Sequence, residues 1–375
     1  MDLGFNEQQA MLRDTTRRFL EKELPVTKAR ETFEKAGAFD RDLWRRGAEI
    51  GWCASAIPEE FGGGSVSGQG LIDLVAIAEE MGRYVFPGPF LGTNVVAGAI
   101  AEFGTDQQRI AILPDIAAGL TAAAWCFAEP AGVWDQASIA TTAKRSGGDV
   151  LIDGAKMYVD GARSASWLLV TARDGDDLVQ VVIGADDPGV EITPLETLDP
   201  TRSLDEVILS GVRAPASAIL GDPARSEEAI ERQLQIALVL LCADSVGGAD
   251  RVLEMAVAYA KDREQFGRPI GSFQAIKHKA ANMLLWLEAS RAATYFAALA
   301  VESRLDEAPL AVSAAKSYVG ESTSLLAEEG LQIHGGIGFT WEHDVHLYLR
   351  RAKSNEVLYG DPSWHRERVC RIVGV

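Results

Sequence analysis

The spacing of apolar residues divides the chain into three regions. Residues 1–120 carry apolar positions at the helical spacing i, i+3, i+4, i+7. Residues 121–222 change to short β-prone runs between turn signals, and the helical period returns over 223–375. The pattern therefore predicts an N-terminal helical domain, a central β domain and a C-terminal helical domain with these boundaries.

The middle region contains several short β-prone runs. They cover residues 150–153, 156–159, 166–172, 178–184, 190–195 and 205–210. Turn signals such as Asp153-Gly154 and Asp187-Pro188-Gly189 separate them. Short strands with frequent turns favour an antiparallel barrel or sandwich.

The C-terminal region contains long helical patterns. A long apolar helix is expected over 231–264, with a break near Gly247 and Gly248. A second apolar stripe runs over 276–287, and a further helix is expected over 309–331. Several long helices in sequence favour a four-helix bundle. The fold class is therefore predicted to be α+β and multidomain.

Composition and charge narrow the possible functions. Of the 375 residues, 47% are hydrophobic and 24% are charged, which is an ordinary globular balance. The net charge of −18 opposes binding to nucleic acid. No apolar run is long enough for a membrane span, and the start MDLGFNEQQAMLRD lacks the features of a signal peptide. We expect a cytoplasmic protein that binds neither nucleic acid nor membrane.

Two generic motifs do not hold. The glycines of 62–64 lack the GxGxxG spacing of a dinucleotide site, and no strand clearly precedes them. His343 and His346 stand at i, i+3 without an evident third ligand. We expect a loop at the first position and no metal at the second.

Two longer stretches are more specific. YAKDREQFGRPIGSFQAIKHKAANM (259–283) and LQIHGGIGFTWEHDVHLYLRRAKS (331–354) closely resemble signatures of the flavin-dependent acyl-CoA dehydrogenases. Weaker matches occur in the expected order at 57–64, 125–135, 154–173 and 211–221. The resemblance therefore covers almost the whole chain.

The resemblance implies both a fold and a reaction. The family fold is a helical domain, a β-barrel domain and a four-helix domain, usually assembled as a dimer of dimers. FAD lies between the β domain and helices, and a neighbouring subunit completes its site. A carboxylate removes the α-proton of an acyl-CoA while the β-hydrogen leaves as hydride to flavin N5. An acceptor similar to electron-transfer flavoprotein is implied, as is a role in fatty acid or steroid side-chain degradation.

Residues donated to a neighbouring subunit's FAD match the family pattern. They are Arg263, Gln265, Phe266, Gln332, Gly335 and Gly336. An arginine offers charge and paired donors to a pyrophosphate, and glycines let backbone N–H groups approach it closely. The resemblance thus implies a cofactor role for these positions.

Residues around the chain's own flavin ring depart from that pattern. The resemblance implies that Phe127 and Ala128 of the flavin segment contact the cofactor, although Ala128 replaces the usual Thr, and Trp134 replaces Ser. Tyr158, Val159 and Asp160 replace Trp-Ile-Thr, which removes a hydroxyl that would hydrogen-bond the flavin. Tyr158 can still stack on a flavin. Asp160 either lies near N5, where it disfavours reduced flavin, or belongs to an Asp-Gly turn.

The usual catalytic glutamates are missing. Gly360 stands at one family position and Ala237 near the other. Asp361 is the candidate replacement, although Asp361-Pro362 is also typical of a helix N-cap, where a carboxylate is stabilised as the anion and is a weaker base. Asp244 is a less suitable candidate, because it lies about 10 Å along the helix from Ala237. A buried, hydrogen-bonded structural role suits it better.

Three functional hypotheses follow. The chain is a dehydrogenase with a relocated base, or a non-catalytic partner subunit in a heteromeric enzyme, or a related flavin oxidase or monooxygenase. The assembly is accordingly expected to be a homotetramer or a heterotetramer with a homologous chain.

Overall fold

The N-terminal region folds into helices packed around buried apolar side chains. The computed structural model of the protein describes residues 4–26, 28 and 40–375. The N-terminal helices are α1 (Glu7–Glu23), α2 (Arg41–Ala48), α3 (Gly70–Arg83), α4 (Phe90–Phe103) and α5 (Asp106–Ala117). Asn6 begins α1 in a capping box with Gln9, and Thr105 begins α5 in the same way with Gln108. These helices confirm the helical period read from the sequence.

The middle region forms one curled, mixed β-sheet. Its strands are β1 (Ala123–Cys126), β2 (Thr142–Ser146), β3 (Asp149–Asp160), β4 (Trp167–Asp174), β5 (Asp177–Gly184), β6 (Val190–Pro194) and β7 (Leu204–Pro215). The order is β1-β4-β2-β3-β7-β6, with β5 also paired to β4. The expectation of a purely antiparallel sheet is wrong at two pairings, since β4 runs parallel to both β1 and β2. The β2–β3 hairpin lies in the connection from β1 to β4 and gives the chain room for a parallel return.

The C-terminal region is a helical bundle. Its helices are α6 (Ser226–Asp262), α7 (Gln274–Glu302), α8 (Ala308–His334), α9 (Val345–Val357) and α10 (Pro362–Val373). A small hairpin of β8 (Glu264–Gln265) and β9 (Arg268–Pro269) follows α6. No helix of the described ranges is long and apolar enough to cross a bilayer.

The expected break in the long helix is wrong. Helix α6 is continuous through Gly247 and Gly248. A Cβ at Gly247 would lie 1.7 Å from the Glu79 carbonyl oxygen, and one at Gly82 would lie 1.8 Å from the Asp244 carbonyl oxygen. The glycines therefore allow α3 and α6 to pack backbone against backbone, and this contact outweighs their low helix propensity.

One apolar cluster joins the three regions. It contains side chains of α3 and α4, the helix-facing side of β1 and the first half of α6. Trp125 and Phe127 reach into it from the sheet, and Tyr359 reaches into it from the segment after α9. The sheet face and the bundle thus meet at the end of α9, where the candidate site lies.

Candidate functional site

A cleft of about 680 Å³ lies between the β domain and α9. Tyr158 and Leu198 contribute to one wall, and Val357 and Leu358 contribute to the other. We call this space the α9 cleft. Its Tyr158 is 37% exposed and has a φ of +56°, an unusual backbone conformation for a bulky residue. Flat apolar and aromatic walls of this kind fit a planar heteroaromatic ring.

In the segment that follows β1, Ala128 lies beside the α9 cleft, but the side chain of Phe127 does not. The Met157 N–H donates to the Ala128 carbonyl at 2.9 Å, which places the backbone of Ala128 beside Tyr158. The Phe127 ring stacks on Trp125 at 4.7 Å between centroids and is 1% exposed. Ala128 and Tyr158 are therefore neighbours, whereas the Phe127 side chain belongs to the core.

A row of aromatic rings runs beside the α9 cleft. The Trp134 ring lies 6.1 Å from Tyr158 and 5.1 Å from Tyr359 between centroids. Tyr359 in turn stacks on Trp125 at 5.8 Å. We call Tyr158, Trp134, Tyr359 and Trp125 the aromatic row. The sequence comparison with Ser at position 134 gave no sign that the indole would contact both tyrosines.

Asp160 lies behind the cleft in an ion pair. Its carboxylate is buried at the end of β3 and accepts a hydrogen bond from Arg202 at 3.1 Å. Burial raises the pKa of the Asp160 carboxyl, while the Arg202 guanidinium opposes that rise. A left-handed Gly161 does follow, but the side chain pairs with an arginine. A plain Asp-Gly turn is therefore an incomplete description of this residue.

Asp160 and Arg202 are part of a larger charge network. Its other members are Asp199, Thr201, Asp244, Arg351 and Asn355. The Arg351 guanidinium donates to Asp199 at 2.7 Å, to Asp244 at 3.2 Å and to the Thr201 carbonyl at 2.8 Å. We call this set the buried charge network. Sequence reasoning missed Arg202, Arg351 and Asn355, because their partners are distant along the chain. Arg202 is 42 positions from Asp160, Arg351 is 152 from Asp199, and Asn355 is 111 from Asp244.

Side chains of the buried charge network hold both carboxylate oxygens of Asp244. One of its carboxylate oxygens accepts from Asn355 at 2.5 Å and the other accepts from Arg351. Arg202 lies 3.5 Å from the same carboxylate. The expectation of a buried, hydrogen-bonded Asp is confirmed.

Gly360 occupies a position with no room for a side chain. Its φ is +106°, and a Cβ would lie 2.6 Å from the Trp364 ring and 3.0 Å from His365 Nε2. Tyr359, just before it, also has a positive φ of +59°. Tyr359 and Gly360 therefore occupy consecutive positions that both have left-handed backbone conformations.

Two buried basic side chains hold this turn. The Lys316 ammonium donates to the Gly360 carbonyl at 2.9 Å, and a His365 ring nitrogen lies 3.1 Å from the Tyr359 carbonyl. Burial lowers the pKa of Lys316 to about 8 and that of His365 to about 3. His365 is therefore neutral near pH 7, and the backbone around Gly360 is fixed from both sides.

Asp361 is the N-cap of α10. Its carboxylate accepts a hydrogen bond from the Trp364 N–H at 2.7 Å, and Pro362 stands at the first helical position. The capping interpretation of Asp361-Pro362 is confirmed. A carboxylate already bonded to the helix N-terminus is poorly placed to accept a proton from a ligand.

Two substitutions separate capping from proton transfer. Asp361→Asn keeps an N-cap acceptor and is expected to change the free energy of unfolding by less than about 0.5 kcal/mol, whereas Asp361→Ala should cost about 1 kcal/mol. Chemical denaturation measures both. If Asp361 were the base, Asp361→Asn would instead abolish flavin reduction by an acyl-CoA while leaving stability unchanged.

The residues assigned to a neighbouring FAD lie on a different surface. Arg263, Gln265 and Phe266 are exposed after α6, and Phe266 is 91% exposed. Gln332 and Gly336 are exposed at the end of α8. The rings of Tyr259 and His334 lie 4.7 Å apart and bring these two ends together. Within the described part of the chain, none of these residues lines the α9 cleft.

The α9 cleft fits a flavin ring in shape better than in charge. Its walls are largely apolar or aromatic, but Glu196 and Glu356 line it against a single lysine, Lys353, while the third lining carboxylate, Asp199, is paired with Arg351. Lining carboxylates disfavour a reduced, anionic flavin. The cleft can hold the ring, with Tyr158 as a stacking wall, while it offers little stabilisation for the charge of a reduced ring.

Comparisons with known proteins agree with this architecture. Three family profiles match in order: "Acyl-CoA dehydrogenase, N-terminal domain" over 6–120, "middle domain" over 124–212 and "C-terminal domain" over 228–374. The acyl-CoA dehydrogenase IpdE2 of Mycolicibacterium smegmatis is 32% identical and covers 98% of this chain and 98% of its own.

Solved structures give the same result. A chain of the ChsE4–ChsE5 complex from Mycobacterium tuberculosis is 26% identical with a TM-score of 0.91, covering 100% of this chain and 99% of that chain. A chain of a variant of the Tcur3481–Tcur3483 steroid ACAD is 30% identical with a TM-score of 0.89, with coverage of 100% and 99%. The protein therefore belongs to the acyl-CoA dehydrogenase family of flavin-dependent enzymes.

Proposed function

We propose that this chain serves FAD-dependent α,β-dehydrogenation of an acyl-CoA as the subunit of a heteromeric enzyme that does not supply the base. Gly360 carries the proposal, because the position of the family glutamate has no space for a side chain. When bound, FAD accepts the hydride from the β-carbon. The carboxylate that accepts the α-proton belongs to a homologous partner subunit.

The nearby carboxylates of this chain are committed to other contacts. Asp361 caps α10, and Asp244 is held by Arg351 and Asn355. A general base needs an open lone pair within hydrogen-bond reach of the proton that it abstracts. Both candidates are thus better explained as structural groups than as a relocated base.

The chain's contribution is the surface at the end of α6 and α8. Arg263 there offers paired donors to a pyrophosphate, and Gln265, Phe266 and Gln332 would flank the same cofactor. Gly335 and Gly336 leave their backbone open on that surface, since a Cβ on either would meet no atom within 4 Å. These side chains are exposed in the single chain, as residues that complete a neighbour's site should be.

Two similar structures support a mixed assembly. The ChsE4–ChsE5 complex and the Tcur3481–Tcur3483 steroid ACAD are each named for two different proteins. We infer a heterotetramer with a homologous chain, an acyl-CoA from fatty acid or steroid side-chain degradation, and an electron-transfer flavoprotein-like acceptor in the cytoplasm. Domain limits at 1–120, 121–222 and 223–375 are part of the same proposal.

Flavin content tests the proposal. The chain purified alone should be colourless, and co-expression with an adjacent homologue should give a flavin spectrum that bleaches with an acyl-CoA. Arg263→Ala should weaken FAD binding in that assembly roughly 10- to 100-fold, because a charge-assisted hydrogen bond contributes about 1.5–3 kcal/mol. Lys261→Ala, an exposed basic residue two positions away, is the matched control.

Other outcomes would point elsewhere. Stoichiometric flavin in the chain alone, bleached by an acyl-CoA, would contradict the proposal and favour an independent dehydrogenase. Oxygen consumption without an added electron acceptor would favour an oxidase or monooxygenase.

A further inference from the structure

A second cleft lies on the other side of Trp134. It has a volume of about 550 Å³ and extends between the β1–β2 segment, the start of α6 and α10. We call it the α10 cleft. Its lining includes Trp134, Arg173, Leu234, Trp364, Arg368 and Arg371. Trp134 also lines the α9 cleft, so its indole stands between the two spaces.

The α10 cleft suits an amphipathic ligand with anionic groups. Leu234 and Trp364 give it apolar walls. Its charged lining is mixed, with Arg173, Arg368 and Arg371 set against Asp135, Glu227 and Glu231. Arg368 already pairs with Glu231, but its Nη1 is buried without a hydrogen-bond partner among the described residues. A CoA thioester combines the required features, since it carries phosphates at one end and an apolar acyl chain at the other.

Trp134 is fixed from several sides. Its ring contacts Tyr158 and Tyr359 in the aromatic row. The next residue, Asp135, lies 3.6 Å from Arg371 of α10 and accepts a hydrogen bond from the Ala137 N–H at 3.0 Å. Tyr359 cannot easily withdraw, because its carbonyl contacts His365 and its backbone is left-handed.

We propose that Trp134, backed by Tyr359, closes the passage between the α10 cleft and the α9 cleft. A CoA thioester that enters the α10 cleft of this chain then cannot place its acyl carbons at the ring in the α9 cleft of the same chain. This inference rests on the proposed function, and it gives the base-free subunit a second reason for being inactive by itself. Productive substrate binding is left to the partner subunit.

Acyl-chain dependence of binding tests the closure. Calorimetry with CoA, butyryl-CoA and octanoyl-CoA should give dissociation constants within about threefold of one another for the natural chain, because the acyl carbons find no buried path. Trp134→Ser should open the passage and make octanoyl-CoA bind at least about tenfold more tightly than CoA. Trp134→Leu is a second opening variant in case the serine variant fails to fold.

Trp134→Phe is the matched control. It keeps an aromatic ring at the closure and should retain the nearly flat dependence on acyl length, with all variants compared by thermal unfolding. A natural chain that already prefers octanoyl-CoA tenfold would overturn the inference. So would opening variants with an unchanged ratio, a phenylalanine variant that behaves like the serine variant, or a natural chain that binds no CoA.

The two proposals fail separately. The calorimetric ratio depends only on the passage, whereas the heteromeric role depends on where flavin is found after co-expression. A chain that holds flavin by itself, which dithionite but not an acyl-CoA reduces, and that shows no dependence on acyl length would contradict the expected colourless subunit and keep the closure.

Discussion

Replacing Arg351 by methionine is expected to lower the free energy of unfolding by about 3–5 kcal/mol, the usual cost of breaking a buried ion pair from one side. Arg351 is 3% exposed and pairs with both Asp199 and Asp244. Its removal leaves Asp199, which is 1% exposed, with no ion pair in the described structure. Methionine fills most of the volume, so the loss reports charge more than a cavity.

A second substitution and a control make this result specific. Adding Asp199→Asn to Arg351→Met removes the uncompensated charge and should recover part of the loss. Arg350→Met changes the adjacent arginine, which is only half-buried and contacts the Leu198 carbonyl and the Trp341 ring, and should cost less than about 1 kcal/mol. Urea denaturation followed by circular dichroism measures all three. Equal losses for Arg350 and Arg351 would show that the buried charge network does not stabilise the junction.

Features of the fold that depend on neighbouring residues could be predicted from the sequence, whereas the buried charge network could not. The change from helical to β period near residue 121 and back near 223 was sufficient to predict the order of the helical and β regions. It did not predict β1 or β2. The Asp361-Pro362 pair was sufficient to predict a helix N-cap, because both signals are local. Period and capping depend on neighbouring residues, so a single sequence contains them.

Contacts between distant residues could not be read in this way. Arg351 meets Asp199 across 152 positions, and both residue types are usually solvated. Trp134 differs from the family serine in the sequence, but only the fold shows that its ring stands between two clefts. The parallel pairing of β1 with β4 was not predicted for the same reason, because the partners of a strand depend on the whole sheet.

Restoring the family glutamate by Gly360→Glu is expected to give no gain in flavin reduction and to lower the free energy of unfolding by about 2–5 kcal/mol. Two costs add. A φ of +106° is unfavourable for any residue with a Cβ, and that Cβ would lie 2.6 Å from the bulky Trp364 ring. Rapid-mixing absorbance of the assembled enzyme and denaturant unfolding measure the two effects.

Alanine variants separate the two costs. Gly175→Ala places a Cβ at a φ of +69° with no atom within 4 Å and should cost about 1–2 kcal/mol. Gly360→Ala adds the Trp364 contact and should cost clearly more, nearly as much as Gly360→Glu. Combining Gly360→Glu with Trp364→Ala relieves the contact and should recover stability. The opposite result would be a Gly360→Glu variant with an unchanged free energy of unfolding whose flavin is reduced by an acyl-CoA. It would mean that the site around position 360 still has room for the family glutamate.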